Sequence, residues 1–247
     1  MLRFAAFGLA LTLAQPAASS PTEDWSARMA TDGLAPTLAS LQALPAPSPD
    51  DLLALGAINF LTGIEGALQQ RWAVGATGEL APVPVLRVLL PPNPAPAPAD
   101  PALVREVFSG TLAAMDAATA AFDRIGDDAD IGLVVRLDDL WFDIDGNGAR
   151  GPGEDLMTLA LAAFLNPWDM PETPGPVPVV RFDTADAAWL SAYAHLVSAL
   201  AEAVLAYDPT DATARMMAAT ADRRDRLHRT RGGSSDTELN EFAVKPT

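Results

Sequence analysis

A twelve-residue segment that begins at Asp143 places oxygen-bearing side chains at a spacing that suits a bound metal ion. Asp143, Asp145 and Asn147 alternate along the chain, so three side-chain oxygens can turn toward one centre. Ala149 adds a backbone carbonyl, and Glu154 closes the segment with a carboxylate that can offer both oxygens. Ca²⁺ is a hard cation that takes several oxygen ligands at once, and carboxylates this close together repel each other without a cation. The spacing therefore predicts a calcium site with these five residues as ligands.

The same segment resembles the calcium loop of an EF-hand in the register of its constrained positions. Asp143, Asp145 and Asn147 occupy positions 1, 3 and 5 of such a loop. Glu154 occupies position 12, and Gly148 occupies position 6, where glycine permits the sharp turn with a positive φ that wraps the backbone round the ion. The resemblance covers these twelve residues and the helix predicted to follow them, and it extends no further along the chain.

The surroundings of the loop differ from those of paired EF-hands. The sequence holds no second loop of this kind, and Arg150 occupies position 8, where paired hands carry an apolar residue. Residues 133–137 before the loop have the pattern of a strand, and residues 155–165 after it have the pattern of a helix. A solitary loop followed by one helix is more similar to dockerin-type repeats and to the calcium loops of bacterial surface adhesins. Because a lone loop has no partner hand with which to open a groove, we expect a structural ion; the alternative is an Asp/Gly-rich surface turn without metal.

The N-terminus has the pattern of a secretory signal peptide over residues 1–19. Arg3 supplies a short positive region, and residues 4–14 form an apolar stretch that is too short to span a bilayer. Small residues at 17–19 follow, where a signal peptidase can cut. A periplasmic or secreted protein is therefore expected, in surroundings where a weak calcium loop is kept filled. The alternative is an N-terminal helix of the core.

The composition limits the kinds of partner and of covalent chemistry. Among 247 residues, 16 are Lys or Arg and 32 are Asp or Glu, which gives a net charge of −16. This charge disfavours nucleic acid and anionic membranes as partners, since both carry phosphate charge. The sequence has no cysteine, so disulfides and thiolate chemistry are excluded. A bound ion can supply part of the stabilisation that disulfides give to other exported domains.

Catalytic residues are not indicated by any pattern in the sequence. The two histidines, His195 and His228, lie far apart, which disfavours a zinc site. The chain has no nucleophile elbow, phosphate loop or dinucleotide fingerprint. Pairs of acidic residues are common in so acidic a protein, and Asp183 is better explained as a helix cap than as a general base. We therefore assign no catalytic residue, and a hydrolase with a carboxylate pair stays open as an alternative.

Hydrophobic periodicity predicts a mainly α-helical fold with a few short strands. Residues 21–47 form a helical lead-in, and residues 48–227 form a helical domain that contains the loop. Ser48 begins the first long helix of that domain, with proline at its first position. Similar strand patterns recur at three places, each with an arginine, and the predicted strands are residues 85–88, 133–137 and 179–183.

Two predictions concern the packing of the core. The helix predicted from Asp183 to Tyr207 is apolar on most of its circumference, and we expect it to be the buried central helix, with His195 inside the core. Glu65 lies within the apolar stripe of the helix predicted over 48–72, and we expect it at the edge of that stripe, reaching solvent or Arg71. No membrane span is expected in the mature chain.

The C-terminal part of the chain is basic and then loses its hydrophobic pattern. Six arginines lie within a short distance of one another, at positions 215, 223, 224, 226, 229 and 231. They are consistent with a solvated helix end or with a contact for an acidic partner. Residues 228–247 have no periodicity and are predicted to be a disordered tail.

The sequence alone thus indicates an exported calcium-binding protein in which the ion is structural. Two other classes remain open at this point. One is a helical binding module that presents its long helices to another exported protein, whose identity the sequence does not give. The other is a periplasmic hydrolase, for which a deep pocket with a buried carboxylate of raised pKa would be expected.

Overall fold

The computed structural model describes residues 24–76, 88, 90–159 and 177–241. The described chain is mainly α-helical with one two-stranded sheet, which confirms the predicted fold class. The helices are α1 (Trp25–Asp32), α2 (Leu34–Gln42), α3 (Pro49–Ala73), α4 (Leu103–Phe122), α5 (Thr184–Ala206) and α6 (Thr210–Glu241). The strands are β1 (Leu133–Arg136) and β2 (Val179–Phe182). The predicted signal peptide and the predicted strand at 85–88, apart from Val88, lie outside the described residues.

Helix α3 is the central helix of the described fold. It begins at the predicted position, where the Ser48 hydroxyl accepts from the backbone N–H of Asp51 at 3.2 Å and the Asp51 carboxylate accepts from the backbone N–H of Ser48 at 2.9 Å. Both α2 and α4 pack against α3, and α5 packs mainly against α4. The buried side chains of α3 lie all round its axis: they include Leu53, Ile58 and Leu68, each 1% exposed.

Helix α5 is not the buried central helix that the sequence predicts. Only Ala187, Ala194 and Ala201 of α5 are buried, and Leu190 and Val197 are partly buried against the core. His195 is exposed rather than enclosed in the core. The prediction is wrong because the sequence pattern does not show where such a helix lies. A helix that is apolar on most of its circumference can be buried on every side, or it can lie at the surface with an apolar face exposed.

The sheet pairs two segments that are far apart in sequence. β1 runs antiparallel to β2, with Leu133 opposite Phe182 and Arg136 opposite Val179. Leu133 and Val135 face the core, while Arg136 and Arg181 are exposed on the other face, as the strand patterns predict. After the loop, residues 156–159 are helical, and the rest of the predicted exit helix lies outside the described residues.

Helix α6 extends beyond the end predicted from the sequence. The sequence predicts a disordered tail over 228–247, whereas α6 continues to Glu241. The last residues of the chain, 242–247, lie outside the described part. Thr213 is buried near the start of α6, and once a helix is nucleated each further residue adds one backbone hydrogen bond at a low cost. The absence of hydrophobic periodicity therefore did not mark the end of this helix.

Candidate metal centre

A short backbone bridge closes the base of the predicted calcium loop. Trp141 and Asp155 form an isolated antiparallel bridge. The N–H of Phe142 donates to the carbonyl of Glu154 at 2.8 Å, and the N–H of Leu156 donates to the carbonyl of Leu140 at 2.9 Å. These bonds bring the two ends of the loop together, so the residues at positions 1 and 12 are neighbours.

Aromatic and aliphatic side chains fasten the loop to the core. Trp141, Phe142 and Ile144 are 3%, 3% and 0% exposed. The indole N–H of Trp141 donates to the carbonyl of Met29 at 2.8 Å. A Cβ at Gly33, which has a φ of +80°, would lie 2.9 Å from Cζ2 of Trp141, so the turn between α1 and α2 requires glycine. Trp141 and Phe142 therefore pack the loop against the core.

Three carboxylates converge inside the loop. One oxygen from each of Asp143, Asp145 and Glu154 lies within 4.8 Å of the others. Ca²⁺ bonds oxygen at 2.3–2.6 Å, so two ligands on opposite sides of the ion are about 5 Å apart. The observed separation is therefore compatible with a common ion, and the three residues are the acidic ligands predicted from the sequence.

The two oxygens of Asp143 have different surroundings. Oδ2 accepts from the backbone N–H of Gly148 at 3.0 Å. Oδ1 is buried and has no hydrogen-bond partner within the described part of the chain. A buried carboxylate oxygen without a donor is costly, and a cation at this point removes that cost. This oxygen is the strongest single observation that the residues present fit a metal ion.

Glu154 is held rigidly although its side chain is charged. The residue is 3% exposed, and its Oε1 accepts from the N–H of Ile144 at 2.9 Å. Its Oε2 accepts from the N–H of Gly151 at 2.5 Å. Each oxygen keeps lone pairs that these donors do not use, because a carboxylate has about four acceptor sites. The carboxylate can therefore turn both oxygens toward an ion without losing its backbone contacts.

The tip of the loop is ordered by its own side chains. Asp145 Oδ1 accepts from the N–H of Asn147 at 3.1 Å, and Asn147 Oδ1 accepts from the N–H of Ala149 at 2.7 Å. Gly148 has a φ of +76°, which is the conformation that a glycine at position 6 was expected to adopt. The structure thus brings Asn147 and Ala149 into the loop beside Asp145, and their role as ligands stays a prediction.

Arg150 turns away from the carboxylates. Its Nη1 donates to the carbonyl of Asp138 at 2.8 Å, and the residue is exposed. The guanidinium therefore ties the outer side of the loop to the 3₁₀ turn over Leu137–Asp139. Position 8, which contacts a second hand in paired EF-hands, here makes a contact within the same loop region.

Two polar residues of α3 hold the loop by hydrogen bonds to its backbone, and this role was not predicted from the sequence. Glu65 Oε2 accepts from the N–H of Asp143 at 2.8 Å, and Gln69 Nε2 donates to the carbonyl of Asp143 at 2.7 Å. Glu65 is 7% exposed, so the prediction that it reaches solvent at the edge of the stripe is wrong. The available signal was its position within an apolar stripe, because a carboxylate there needs a specific partner. The pair lies one helical turn apart and holds both backbone groups of Asp143.

The pKa of Glu65 is raised from 4.5 to about 7, and burial is the largest cause. The hydrogen bond from the N–H of Asp143 lowers this pKa, and the carboxylates of Asp143 and Glu154 raise it. The carboxylates of Glu65, Asp143 and Glu154 therefore concentrate negative charge in a partly buried site. A divalent cation in the loop offsets this repulsion directly, since unlike charges attract strongly at short range in a partly buried site.

The described part of the chain also contains a cavity that has no polar lining. An apolar cavity of about 210 Å³ lies between α1, α3, the sheet and the start of α5, and it is lined by residues such as Trp25, Ile58, Leu140 and Leu190. Glu65 is not among the lining residues, so the buried carboxylate of raised pKa and the cavity are separate. This arrangement does not favour the hydrolase alternative, which requires both in one place.

Comparison of the chain with protein-family models, curated proteins and solved structures finds no match.

Proposed function

We propose that this chain is an exported calcium-binding protein in which the ion has a structural role. The observation that carries the proposal is the buried Oδ1 of Asp143, which lacks a hydrogen-bond donor and lies beside the carboxylates of Asp145 and Glu154. The candidate metal ligands are all oxygen atoms, since the chain has no cysteine and the loop has no histidine. Oxygen ligands favour a hard cation. The EF-hand resemblance of the loop favours Ca²⁺ over Mg²⁺, which demands a smaller and stricter octahedral site.

The structural role follows from what the loop touches. Asp143 is bonded to Glu65 and Gln69 of α3, and Trp141 is bonded to Met29 of α1. An ion that fixes the loop therefore also fixes the contacts between the central helix, the N-terminal helix and the sheet. Export would supply the ion, since loops of extracellular modules bind calcium with dissociation constants of roughly 10⁻⁴ to 10⁻³ M.

The test is thermal and chemical unfolding of the purified chain in excess chelator and in 2 mM calcium, with calorimetric titration of the ion. For dissociation constants in this range, calcium should raise the free energy of unfolding by roughly 0.6 to 2 kcal/mol, which corresponds to a few degrees in Tm. Asp143→Ala combined with Glu154→Ala should abolish binding and the calcium-induced rise. The rise is compared rather than the absolute stability, because Glu154 also accepts two backbone hydrogen bonds.

A matched control removes two acidic charges elsewhere. Asp127 and Asp128 lie in an exposed turn after α4, so Asp127→Asn with Asp128→Asn changes the net charge without touching the loop. This variant should keep the calcium-induced rise. A parent chain that unfolds at the same point in chelator and in calcium, and shows no heat of binding, would contradict the proposal. Binding without stabilisation would keep the ion and remove its structural role.

A further inference from the structure

The outer face of α5 carries a continuous apolar stripe. Its large members are Trp189, Tyr193, Leu196, Leu200 and Tyr207, which are 64%, 44%, 64%, 48% and 89% exposed. Together with Ala203 they follow one another at intervals of four and three residues, which is the spacing of a seam between two packed helices. We call these six residues the α5 stripe.

Small side chains flank the stripe on one side. Ala192, Ala199 and Ala206 are exposed and recur every seven residues. A second helix can approach closely along such a row, because alanine does not hold the two backbones apart. The face therefore combines large side chains that can act as knobs with a flat row beside them, and it differs from a surface that carries single scattered apolar residues.

The exposure of α5 is unusual for so apolar a helix. α3 and α5 are both long and apolar enough to cross a membrane by length and composition, but the buried share of the most apolar window is 61% in α3 and only 11% in α5. The apolar character of α3 is explained by the core of the protein. The apolar character of α5 is not explained within the described chain, and an occupant is needed for its outer face.

We propose that this occupant is a second copy of the chain, whose α5 packs antiparallel on the first about a two-fold axis near Ser198. In this arrangement Leu196 lies opposite Leu200 of the second copy, and Trp189 lies opposite Tyr207. The ring of Tyr193 lies opposite the small Ala203. The stripe is thus complementary to itself, as an interface with two-fold symmetry requires.

Charge complementarity favours the same arrangement. Apart from the tyrosine hydroxyls, His195 and Glu202 are the polar residues exposed on α5 between Ala188 and Tyr207. About an axis near Ser198, Glu202 of one copy lies close to the level of His195 of the other, and the imidazole can donate to the carboxylate twice by symmetry. The two Glu202 side chains lie about 12 Å apart along the helices, beyond the range of strong repulsion. A parallel pair would place them at the same level.

The area of the stripe is sufficient for a stable pair. At their observed exposure, the three aromatic side chains alone present roughly 400 Å² per copy. The two leucines and the alanine row increase this toward the value of about 800 Å² per partner that is typical of a specific interface. The pair of Trp189 and Tyr193 is already stacked, with ring centroids 5.4 Å apart, so these side chains need little ordering on association.

Sedimentation of the purified full chain over a range of concentrations tests the proposal. The parent should sediment as a dimer at micromolar concentration. Leu196→Glu combined with Leu200→Glu should shift the chain to monomer with unchanged far-UV circular dichroism, since both side chains are exposed in the single copy. Met216→Glu is the matched control, because Met216 on α6 has the same 64% exposure as Leu196 but lies outside the stripe. It should remain a dimer.

The orientation of the pair is tested by cysteine cross-linking, for which a chain without cysteine is well suited. Ala199→Cys should form a covalent dimer on oxidation, because the two copies of this position lie only about 3 Å apart along the helices, next to the axis. Ala192→Cys should not, since its copies lie about 18 Å apart along antiparallel helices. In a parallel pair both variants would cross-link.

Other results would overturn the proposal in distinguishable ways. A monomeric parent whose α5 amides are protected from exchange would indicate that another segment of the same chain covers the stripe. A monomeric parent that binds neutral lipid vesicles through α5 would indicate a membrane surface. A dimer that persists in the Leu196→Glu, Leu200→Glu variant would place the interface elsewhere.

Discussion

Glu65→Gln is expected to stabilise the metal-free protein at neutral and alkaline pH. The glutamine retains an oxygen that can accept from the N–H of Asp143, as the carboxylate does at 2.8 Å. It removes a negative charge that is 7% exposed and lies beside the carboxylates of Asp143 and Glu154. Replacement of the charge should therefore relieve burial and repulsion while the hydrogen bond is kept.

The size of the effect follows from the pKa of Glu65, which is raised from 4.5 to about 7 mainly by burial. A group whose pKa is higher in the folded state binds more protons there, so its contribution is fully present below pH 4.5 and is lost as the pH rises through about 7. At 1.36 kcal/mol per pH unit the full loss is on the order of 3 kcal/mol, of which roughly 2.5 kcal/mol falls between pH 5 and pH 8.

The assay is urea unfolding in excess chelator at a series of pH values from 5 to 8. The free energy of unfolding of the parent should fall across this range relative to that of Glu65→Gln, and the variant should be the more stable of the two at pH 8. Glu106→Gln is the matched control, since Glu106 is exposed on α4 and its replacement should leave the pH dependence unchanged. Equal pH dependence of the parent and Glu65→Gln, or a less stable variant at pH 8, would refute the reasoning.

Two other predictions address the loop and the leader. Gly148→Ala should weaken calcium binding by about tenfold in calorimetric titration, because an alanine at a φ of +76° costs roughly 1–2 kcal/mol although no atom lies within 4 Å of the added Cβ. Gly126→Ala, which also has open surroundings and no positive φ, should bind calcium as the parent does, and an equal loss in both variants would contradict the role of the turn. For the leader, expression of the full chain in a bacterium should yield a periplasmic or secreted product that lacks about the first 19 residues by mass, whereas an intact cytosolic chain would contradict export.

The loop could be predicted from the sequence because its information is local. Asp143, Asp145 and Glu154 lie within twelve residues, so their spacing alone determines which oxygens converge. The helix starts at Ser48 and Asp183 were predictable for the same reason, since each cap is a contact between residues three positions apart. Patterns of this length constrain the backbone before any tertiary contact is made.

The support of the loop could not be predicted because it depends on contacts across the fold. Glu65 and Asp143 are separated by 78 residues, and Trp141 and Met29 by 112. A carboxylate in an apolar stripe has several ways to avoid a buried charge, including a reach to solvent, a salt bridge or a backbone donor. Only the arrangement of α3 against the loop decides between them, and it selects the backbone donor of a predicted ligand.

The sequence predicts α5 as the buried central helix, whereas α3 takes that place in the structure. The physical reason for this difference bears on assembly. Both helices are apolar on most sides, but the fully buried residues of α5 are three alanines, only part of Leu190 and Val197 is buried beside them, and Trp189 and Leu196 are directed outward. A surface helix of a monomer normally has the opposite arrangement, with large apolar residues inward and charged residues outward. Burial of the small residues and exposure of the large ones means that most of the apolar surface of α5 remains to be removed from water. The self-complementary order of that surface is the reason to expect a second copy against it rather than an unrelated chain.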